Sequence, residues 1–277
     1  MTPLRKLRRP TTAGRSRRVL AAAVGALLCL PLAACGGGDR ADGSPGGATT
    51  TKQAKNGPTL TVLAASSLTD AFKHARKQYE DRNPGVHIRF SFAGSQSLAA
   101  QVRQGAPADV LVTANTQTMQ SVADQVGKPV TIASNRLTIV TEPGNPEHIH
   151  SLKDLTDPQL KVVLAAPEVP AGAYSKKILS RQHLDVHPVS LESSVRSVLT
   201  KVELGEADAG LVYATDAHAG GKKVSTVDIP AGKNAVAHYP AAVVKDTGHR
   251  KAAEEFTRYL TSTAGFAFLA DEGFLKP

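Results

Sequence analysis

Five short turns of this 277-residue chain carry small, uncharged residues, many with a hydroxyl group, at points where predicted strands end. The turns are Ala65-Ser66-Ser67-Leu68, Ala93-Gly94-Ser95-Gln96-Ser97, Ala114-Asn115, Ser193-Ser194-Val195 and Tyr213-Ala214-Thr215. Any one of these hydroxyl groups could serve simply as a helix N-cap. Several such turns without a carboxylate favour instead a pocket made of hydrogen-bond donors. Such a pocket suits an anion that carries no proton and only accepts hydrogen bonds.

Phosphate differs from such an anion, because its protonated form also needs a hydrogen-bond acceptor. The candidate acceptors near the turns are Asp70 and Asp109. Asp70 lies where the third residue of a helix would support an N-cap, and Asp109 begins a predicted strand after Pro107. Both carboxylates are therefore predicted to be structural.

Strands and helices alternate from Thr59 onward, and these elements must position the turns. Thr59 to Ala65 is predicted to be a strand, and a helix that opens at Ser67 ends before Asn83. The apolar residues of that helix fall on one face and are Leu68, Ala71, Phe72, Ala75 and Tyr79. The further predicted strands are 86–92, 109–113, 136–141, 161–165, 186–191, 209–213, 224–229 and 236–244, and the further helices are 96–105, 171–183, 194–204 and 250–271. This order predicts an α/β fold of two small parallel sheets with helices on both faces, whose ligand lies beyond the carboxyl ends of the strands.

Two histidine pairs are the next candidates for chemistry. His148 and His150 would share one face of an extended segment, and His183 and His187 are four residues apart. Neither pair has a companion carboxylate or cysteine, and Pro188 would spoil a helix at the second pair, so no metal site is predicted. The sequence also lacks a Gly-x-Ser-x-Gly motif, a phosphate-binding loop and a spacing that supports a Ser/His/Asp triad, so no catalytic residues are predicted.

The first 35 residues are predicted to be an export signal. A basic stretch leads into an apolar run from Val19 to Leu30, which is short for a membrane span, and small residues follow. Leu32-Ala33-Ala34-Cys35 resembles the lipobox of bacterial lipoproteins, in which the cysteine is acylated and becomes the mature N-terminus. A plain secretory signal with a chance cysteine is the alternative, and Ser16-Arg17-Arg18 leaves a twin-arginine route open.

Residues 36–58 are predicted to be a flexible tether, because they are rich in Gly, Thr and charged residues. Both cysteines of the chain, Cys29 and Cys35, precede this tether. The predicted folded part therefore has no thiol for a disulfide, a metal site or a nucleophile.

The net charge of +9 belongs largely to the predicted signal. Residues 1–35 hold seven of the 33 basic residues and no acidic one, which leaves 26 basic against 24 acidic residues. The rest of the chain is nearly neutral, and only 4% of the whole is aromatic, so no nucleic-acid partner is predicted.

Six motifs, in order, resemble those of the molybdate-binding proteins of ABC importers. They are Ala64 to Phe72 (AASSLTDAF), Phe92-Ala93-Gly94-Ser95, Gly105 to Val110 (GAPADV), Pro167 to Gly172 (PEVPAG), Val195-Arg196 and Gly210-Leu211-Val212-Tyr213. The resemblance implies a type II periplasmic-binding-protein fold, in which two doubly wound α/β lobes close on a ligand cleft. One lobe is expected at 59–136 plus 239–277, and the other at 137–238.

The same resemblance implies that five residues hold the oxygen atoms of the ligand. They are Ser67 and Ser95 through hydroxyl and amide groups, Ala114 and Val195 through their amides, and Tyr213 through its phenol. The sequence departs from the family pattern at Gly94 and Gln96, where relatives commonly have serine, and at Ser66, which adds a hydroxyl group.

The function implied by the resemblance is that of an extracytoplasmic solute-binding lipoprotein, held at the cell membrane by lipid on Cys35. It would capture molybdate, and tungstate as well, for an ABC permease and its ATPase, as a monomer without a cofactor or catalytic activity. A binding protein for sulfate, phosphate or another oxyanion is the alternative within this class. The alternative outside it is an extracytoplasmic enzyme on the same scaffold, which would need an acid, base or nucleophile in the cleft.

Overall fold

The computed structural model describes residues 57–277, so the predicted signal, Cys35 and nearly all of the predicted tether lie outside the described residues. The strands are β1 (Thr59–Ala65), β2 (His87–Ala93), β3 (Val110–Val112), β4 (Val130–Thr141), β5 (Val162–Ala165), β6 (Ser190–Glu192), β7 (Ala209–Tyr213), β8 (Ser225–Asp228) and β9 (Val236–Val243). The α-helices are α1 (Thr69–Arg82), α2 (Ser95–Arg103), α3 (Thr116–Gln120), α4 (Pro170–Arg181), α5 (Val195–Glu203), α6 (Ala214–Gly220), α7 (Arg250–Thr261) and α8 (Thr263–Asp271). Of the helices in this part of the chain, none has the length and apolar character needed to cross a membrane.

The strands form one mixed sheet in the order β2-β1-β3-β9-β4-β7-β5-β6, and β8 pairs with β4. Strand β1 is parallel to β2 and β3, and β5 is parallel to β6 and β7. Between these two parallel groups lie β4 and β9, which run antiparallel to their neighbours. We call β1–β3 with α1–α3 the first half, and β5–β7 with α4–α6 the second half.

The long strand β4 connects the two halves. Its residues up to Arg136 pair with β9, and its residues from Leu137 onward pair with β7 and β8. The sequence predicted this strand only from Arg136. The expectation of two purely parallel sheets is wrong, because the strands form one sheet in which β4, β8 and β9 pair antiparallel with their neighbours. The change of partner within one strand explains why a single sheet contains both parallel groups.

Most other predicted elements are confirmed, and β1 and β7 have the predicted bounds. The single helix predicted over 250–271 is wrong, because Ser262 adopts an extended conformation and separates α7 from α8. The Ser262 hydroxyl oxygen accepts the amide of Gly265 at 3.0 Å and so caps α8. The short helices α3 and α6 were not predicted.

Helix α1 shows how the hydrophobic pattern positions a turn of the site. Its buried residues Ala71, Phe72, Ala75 and Tyr79 belong to the predicted apolar face. The ring centroid of Phe72 lies 5.3 Å from that of Phe90 in β2 and 6.5 Å from that of Phe256 in α7. These aromatic contacts hold α1 against the sheet and thereby hold the turn at Ser67 that precedes it.

Candidate functional site

The turns that follow the parallel strands converge on one small cavity between the two halves, which we call the strand-end cavity. Its lining includes all five residues that the resemblance assigned to the ligand: Ser67, Ser95, Ala114, Val195 and Tyr213. The remaining lining residues are Ala65, Ser66, Gly94, Val169, Pro170 and Ala171. The cavity has a volume of about 10 Å³, which is room for about one water molecule. The turns that line it must therefore move apart before a ligand of a few atoms fits between them.

The lining offers hydrogen-bond donors without a formal charge. None of the lining side chains is that of Asp, Glu, Lys, Arg or His. Hydroxyl groups and the first amides of helices supply partial positive charge instead. An anion held in this way is not fixed by an ion pair, which suits a ligand that must later be released.

Ser67 lies in the 3₁₀ turn Ser66–Leu68 between β1 and α1, and it is almost fully buried. Its hydroxyl oxygen is 2.9 Å from the phenol oxygen of Tyr239 in β9, and either group could donate. Burial raises the pKa of Tyr239, so the phenol keeps its proton and is able to donate to Ser67. The Ser67 hydroxyl then retains a proton for the cavity. The residue before α1 is Leu68, which has no side-chain cap, so Ser67 does not cap this helix.

Ser95 is the first residue of α2 and is also buried. Its hydroxyl oxygen accepts the amide of Ala114 at 3.0 Å, which joins the turn after β2 to the turn after β3. The hydroxyl proton of Ser95 stays free to donate. The Ala114 amide, which the resemblance assigns to the ligand, has Ser95 as its partner in this structure.

Val195 is the first residue of α5 in the second half. The hydroxyl oxygen of Ser194 caps this helix by accepting the amide of Ser197 at 3.1 Å. Amides in the first turn of a helix have no intrahelical acceptor, so the Val195 amide is available at the cavity wall.

Tyr213 ends β7 and is 1% exposed. Within residues 57–277, its phenol oxygen has no partner with good hydrogen-bond geometry, although the ring of Tyr239 lies beside it at 5.9 Å between centroids. Burial raises the pKa of Tyr213 well above its usual value of 10, so the phenol keeps its proton. A buried donor without a partner is unfavourable by about 1 to 3 kcal/mol. An acceptor placed in the cavity would relieve this cost.

Beside the cavity, Arg196 forms two ion pairs that the sequence analysis did not predict. Its Nη2 lies 2.7 Å from Asp70 Oδ2, and its Nε lies 2.6 Å from Asp216 Oδ1. Asp216 in α6 is fully buried, and its Oδ2 accepts the amide of Tyr213 at 3.3 Å. Burial raises the pKa of Asp216 to about 6, although the positive charge of Arg196 acts in the opposite direction.

Neither of the two aspartates that were predicted to be structural lines the cavity. Asp70 is the second residue of α1 and supports no N-cap, so that detail of the prediction is wrong, and its carboxylate accepts from Arg196 instead. Asp109 accepts the amide of Thr61 at 2.6 Å and the hydroxyl group of Thr247, with His249 Nδ1 at 3.1 Å. The structural role of Asp109 is therefore confirmed.

The histidine pairs do not form a site in the described part of the chain. Across residues 57–277, no three side chains of His, Cys, Asp or Glu come together as metal ligands. A larger groove lies away from the strand ends, lined in part by His150, Lys153 and Lys233. The polar side chains of this groove are exposed or half-buried, so it lacks the buried donors of the strand-end cavity.

Comparison with known proteins connects this geometry to a family. Residues 60–275 match the model of a family described as bacterial extracellular solute-binding protein. The molybdate-binding protein ModA of Mycobacterium tuberculosis is 42% identical over 257 residues, which cover 92% of this chain and 96% of that protein. A Bacillus subtilis protein described as a candidate ABC transporter substrate-binding lipoprotein is 35% identical over 225 residues, covering 78% of this chain and 86% of that one.

A solved structure agrees with the fold. The periplasmic molybdate-binding protein of Azotobacter vinelandii superimposes with a TM-score of 0.70 at 20% identity, over 79% of this chain and 99% of that one. This likeness confirms the predicted α/β class and the type II periplasmic-binding-protein fold. The family match runs from the second residue of β1 to beyond α8 and includes every residue of the strand-end cavity. The chain therefore belongs to the bacterial extracellular solute-binding proteins, a family that acts outside the cytoplasm, and within it to the group of the molybdate-binding proteins.

Proposed function

We propose that this protein binds molybdate in the strand-end cavity and delivers it to an ABC importer. The observation that carries the proposal is the convergence of three buried serine hydroxyls, helix-start amides and an unpartnered phenol on a cavity without charged side chains. Molybdate is a fully deprotonated dianion near neutral pH, so each of its oxygens accepts hydrogen bonds and none donates. The ligand named for the Mycobacterium tuberculosis relative supports the same choice.

The same donors favour some oxyanions over others. Tungstate has the charge and tetrahedral shape of molybdate, so we propose it as a second ligand. Sulfate is also a deprotonated dianion, and only the size of the closed cavity separates it from molybdate. Phosphate carries a proton near neutral pH that needs an acceptor, and the lining offers no carboxylate for it.

Binding without catalysis agrees best with the neighbours of Ser67 and Ser95. A serine nucleophile needs an adjacent general base. Ser67 is paired with Tyr239, whose protonated phenol is not a base, and Ser95 is paired with a backbone amide. We therefore propose that the site holds its ligand and does not transform it.

A calorimetric titration of the purified protein with molybdate, tungstate, sulfate and phosphate tests this function. We expect one molybdate per chain, tungstate binding of similar strength, and much weaker binding of sulfate and phosphate. Tighter binding of sulfate or phosphate than of molybdate would show that the ligand is misassigned.

The membrane anchor is a separate proposal, because Cys35 lies outside the described residues. Its support is the lipobox pattern at Leu32-Ala33-Ala34-Cys35 and the description of the Bacillus subtilis relative. Lipid on Cys35 would hold a monomer at the outer face of the cell membrane, near the permease and its ATPase. Cys35→Ala should abolish retention in the membrane fraction or leave the signal uncleaved. A correctly cleaved variant that stays with the membrane would contradict the anchor.

The proposal also includes two lobes that close on the ligand. One lobe comprises residues 59–136 and 239–277, and the other comprises residues 137–238. Their support is the pairing of β4, which changes from β9 to β7 between Arg136 and Leu137. The cavity is lined from both sides of this boundary, by Ser67 and Ser95 on one side and by Val195 and Tyr213 on the other.

A further inference from the structure

We propose that Asp70 and Arg196 form a latch between the two halves that slows the release of bound oxyanion. The latch is defined as this ion pair together with Asp216, which holds Arg196 from the other side. The inference rests on the proposed function, since it concerns release of the ligand from the strand-end cavity.

The geometry of the ion pair places it across the boundary between the halves. Asp70 lies in the first turn of α1, which follows the cavity residue Ser67. Arg196 is the second residue of α5 and follows the cavity residue Val195. Their contact of 2.7 Å joins positions that are 126 residues apart in the chain. Movement of the halves away from each other would separate the two charges.

The arginine is anchored within the second half, so the contact with Asp70 is the part that opens. Asp216 is fully buried and lies 2.6 Å from the guanidinium, and its second oxygen accepts the amide of Tyr213. Through its neighbours in the chain and through Asp216, Arg196 is thus connected to both Val195 and Tyr213. Closure of the latch and formation of the ligand contacts in the second half are coupled by this arrangement.

A second contact between the halves is neutral and independent of the latch. Gln96 Nε2 donates to the backbone oxygen of Ser193 at 2.9 Å. It gives the closed state a contact that persists when the ion pair is removed. Loss of the latch should therefore speed release without preventing closure.

The expected size of the effect follows from partial exposure. The side chains of Arg196 and Asp70 are 25% and 35% exposed, so water and salt weaken their attraction. Because the contact forms only after the halves approach, it stabilises the closed state and affects dissociation more than association.

The test compares molybdate release from the parent protein, Asp70→Asn and the control Asp81→Asn. Asp81 is on the same helix and pairs with Lys77 at 2.8 Å, within α1 and away from the boundary. Asp70→Asn is preferred to a change at Arg196, because removing the arginine would leave Asp216 buried without its counter-charge. Rates of association and release are followed by stopped-flow tyrosine fluorescence, since the chain has no tryptophan.

We expect Asp70→Asn to raise the release rate about 3- to 10-fold and to leave the association rate within about twofold of the parent. Added salt should speed release from the parent and from Asp81→Asn more than from Asp70→Asn, a response that a purely structural role would not produce. An unchanged release rate in Asp70→Asn, or an equal change in Asp81→Asn, overturns the latch alone. A parent protein that does not bind molybdate overturns the proposed function and the latch together.

Discussion

Of the three serines that line the cavity, Ser67 and Ser95 each have one protein partner and keep one proton for the ligand. Ser67 is paired with Tyr239, and Ser95 accepts the amide of Ala114. Each hydroxyl is therefore oriented before the ligand arrives, so binding does not have to pay the full cost of ordering it. Oriented neutral donors explain how the site could hold a dianion firmly without an opposing charge in the cavity wall.

Substitution of either serine tests this orientation. Ser67→Ala or Ser95→Ala removes a donor to a charged acceptor, a bond worth about 1.5 to 3 kcal/mol, so molybdate affinity should fall roughly 10- to 150-fold. The matched control is Ser180→Ala, at an exposed position of α4. Calorimetry gives the affinities. Parent-like affinity in both folded cavity variants would remove the serines from the site.

The buried carboxyl of Asp216 makes a prediction about pH. Its pKa of about 6, raised by burial, lies above the ordinary value of 3.8, so the folded protein takes up a proton that the unfolded chain does not. The protonated Asp216 therefore stabilises the folded protein fully below about pH 4, and this stabilisation is lost as the pH rises through 6. The charged or titratable groups that face it are Arg196, Asp70, Tyr213 and Tyr239.

Asp216→Asn mimics the protonated carboxyl and should remove this dependence. Relative to the parent, the variant should gain stability as the pH rises from 4 to 7, because only the parent must then hold a buried carboxylate. Urea unfolding at both pH values measures the difference. A stability difference that is the same at the two pH values would contradict the assignment of the raised pKa.

The sequence predicted the cavity serines but not the role of Arg196, and the reason is physical. A serine in a turn after a strand is a local signal, because strand ends and helix starts are readable from hydrophobic periodicity. The partners of Arg196 are Asp70 and Asp216, and a pair joined across 126 residues leaves no local pattern. The motif Val195-Arg196 indicated the position without indicating its contacts.

At the scale of elements, the segments after β1, β2, β3, β5 and β6 and the end of β7 bring the cavity residues together. The apolar face of α1 and the bounds of β1 and β7 were predictable because each of these elements buries a recognisable run or regular spacing of apolar residues. The early part of β4 and the break at Ser262 were not. Both depend on pairing and capping with distant or irregular partners rather than on the periodicity of their own residues.

The turn at Gly94 packs closely against the backbone of the second half. A Cβ atom there would lie 2.4 Å from the backbone oxygen of Ser193 and 2.6 Å from the side chain of Gln96. The departures from the family pattern at Gly94 and Gln96 are therefore linked, since the glycine leaves room for the Gln96 contact with Ser193.

Gly94→Ala should hold the halves apart and weaken molybdate binding roughly 5- to 150-fold, the range expected for an overpacked contact. The free energy of unfolding of the ligand-free protein should change little, because the open state relieves the clash. Gly232→Ala is the matched control, since nothing lies within 4 Å of a Cβ at that exposed position. Equal affinities in the two variants would show that the Gly94 approach does not limit closure.

At the scale of the whole molecule, the proposed function requires the halves to move. The cavity is small and lined from both halves, so a ligand could enter only if they separate. Molybdate should therefore reduce the radius of gyration measured by small-angle X-ray scattering. An unchanged radius at saturating molybdate, with binding confirmed by calorimetry, would contradict closure of the lobes.

The central claim, that the strand-end cavity binds molybdate, is tested most directly by a pair of tyrosine variants. Tyr213 and Tyr259 each have a buried phenol oxygen without a hydrogen-bond partner in residues 57–277. Only Tyr213 lines the cavity, whereas Tyr259 packs against Tyr79 and Phe268. In calorimetric titrations, Tyr213→Phe should weaken molybdate binding roughly 10- to 150-fold, and Tyr259→Phe should keep the parent affinity. Parent-like affinity in a folded Tyr213→Phe, or an equal loss in both variants, would contradict the account.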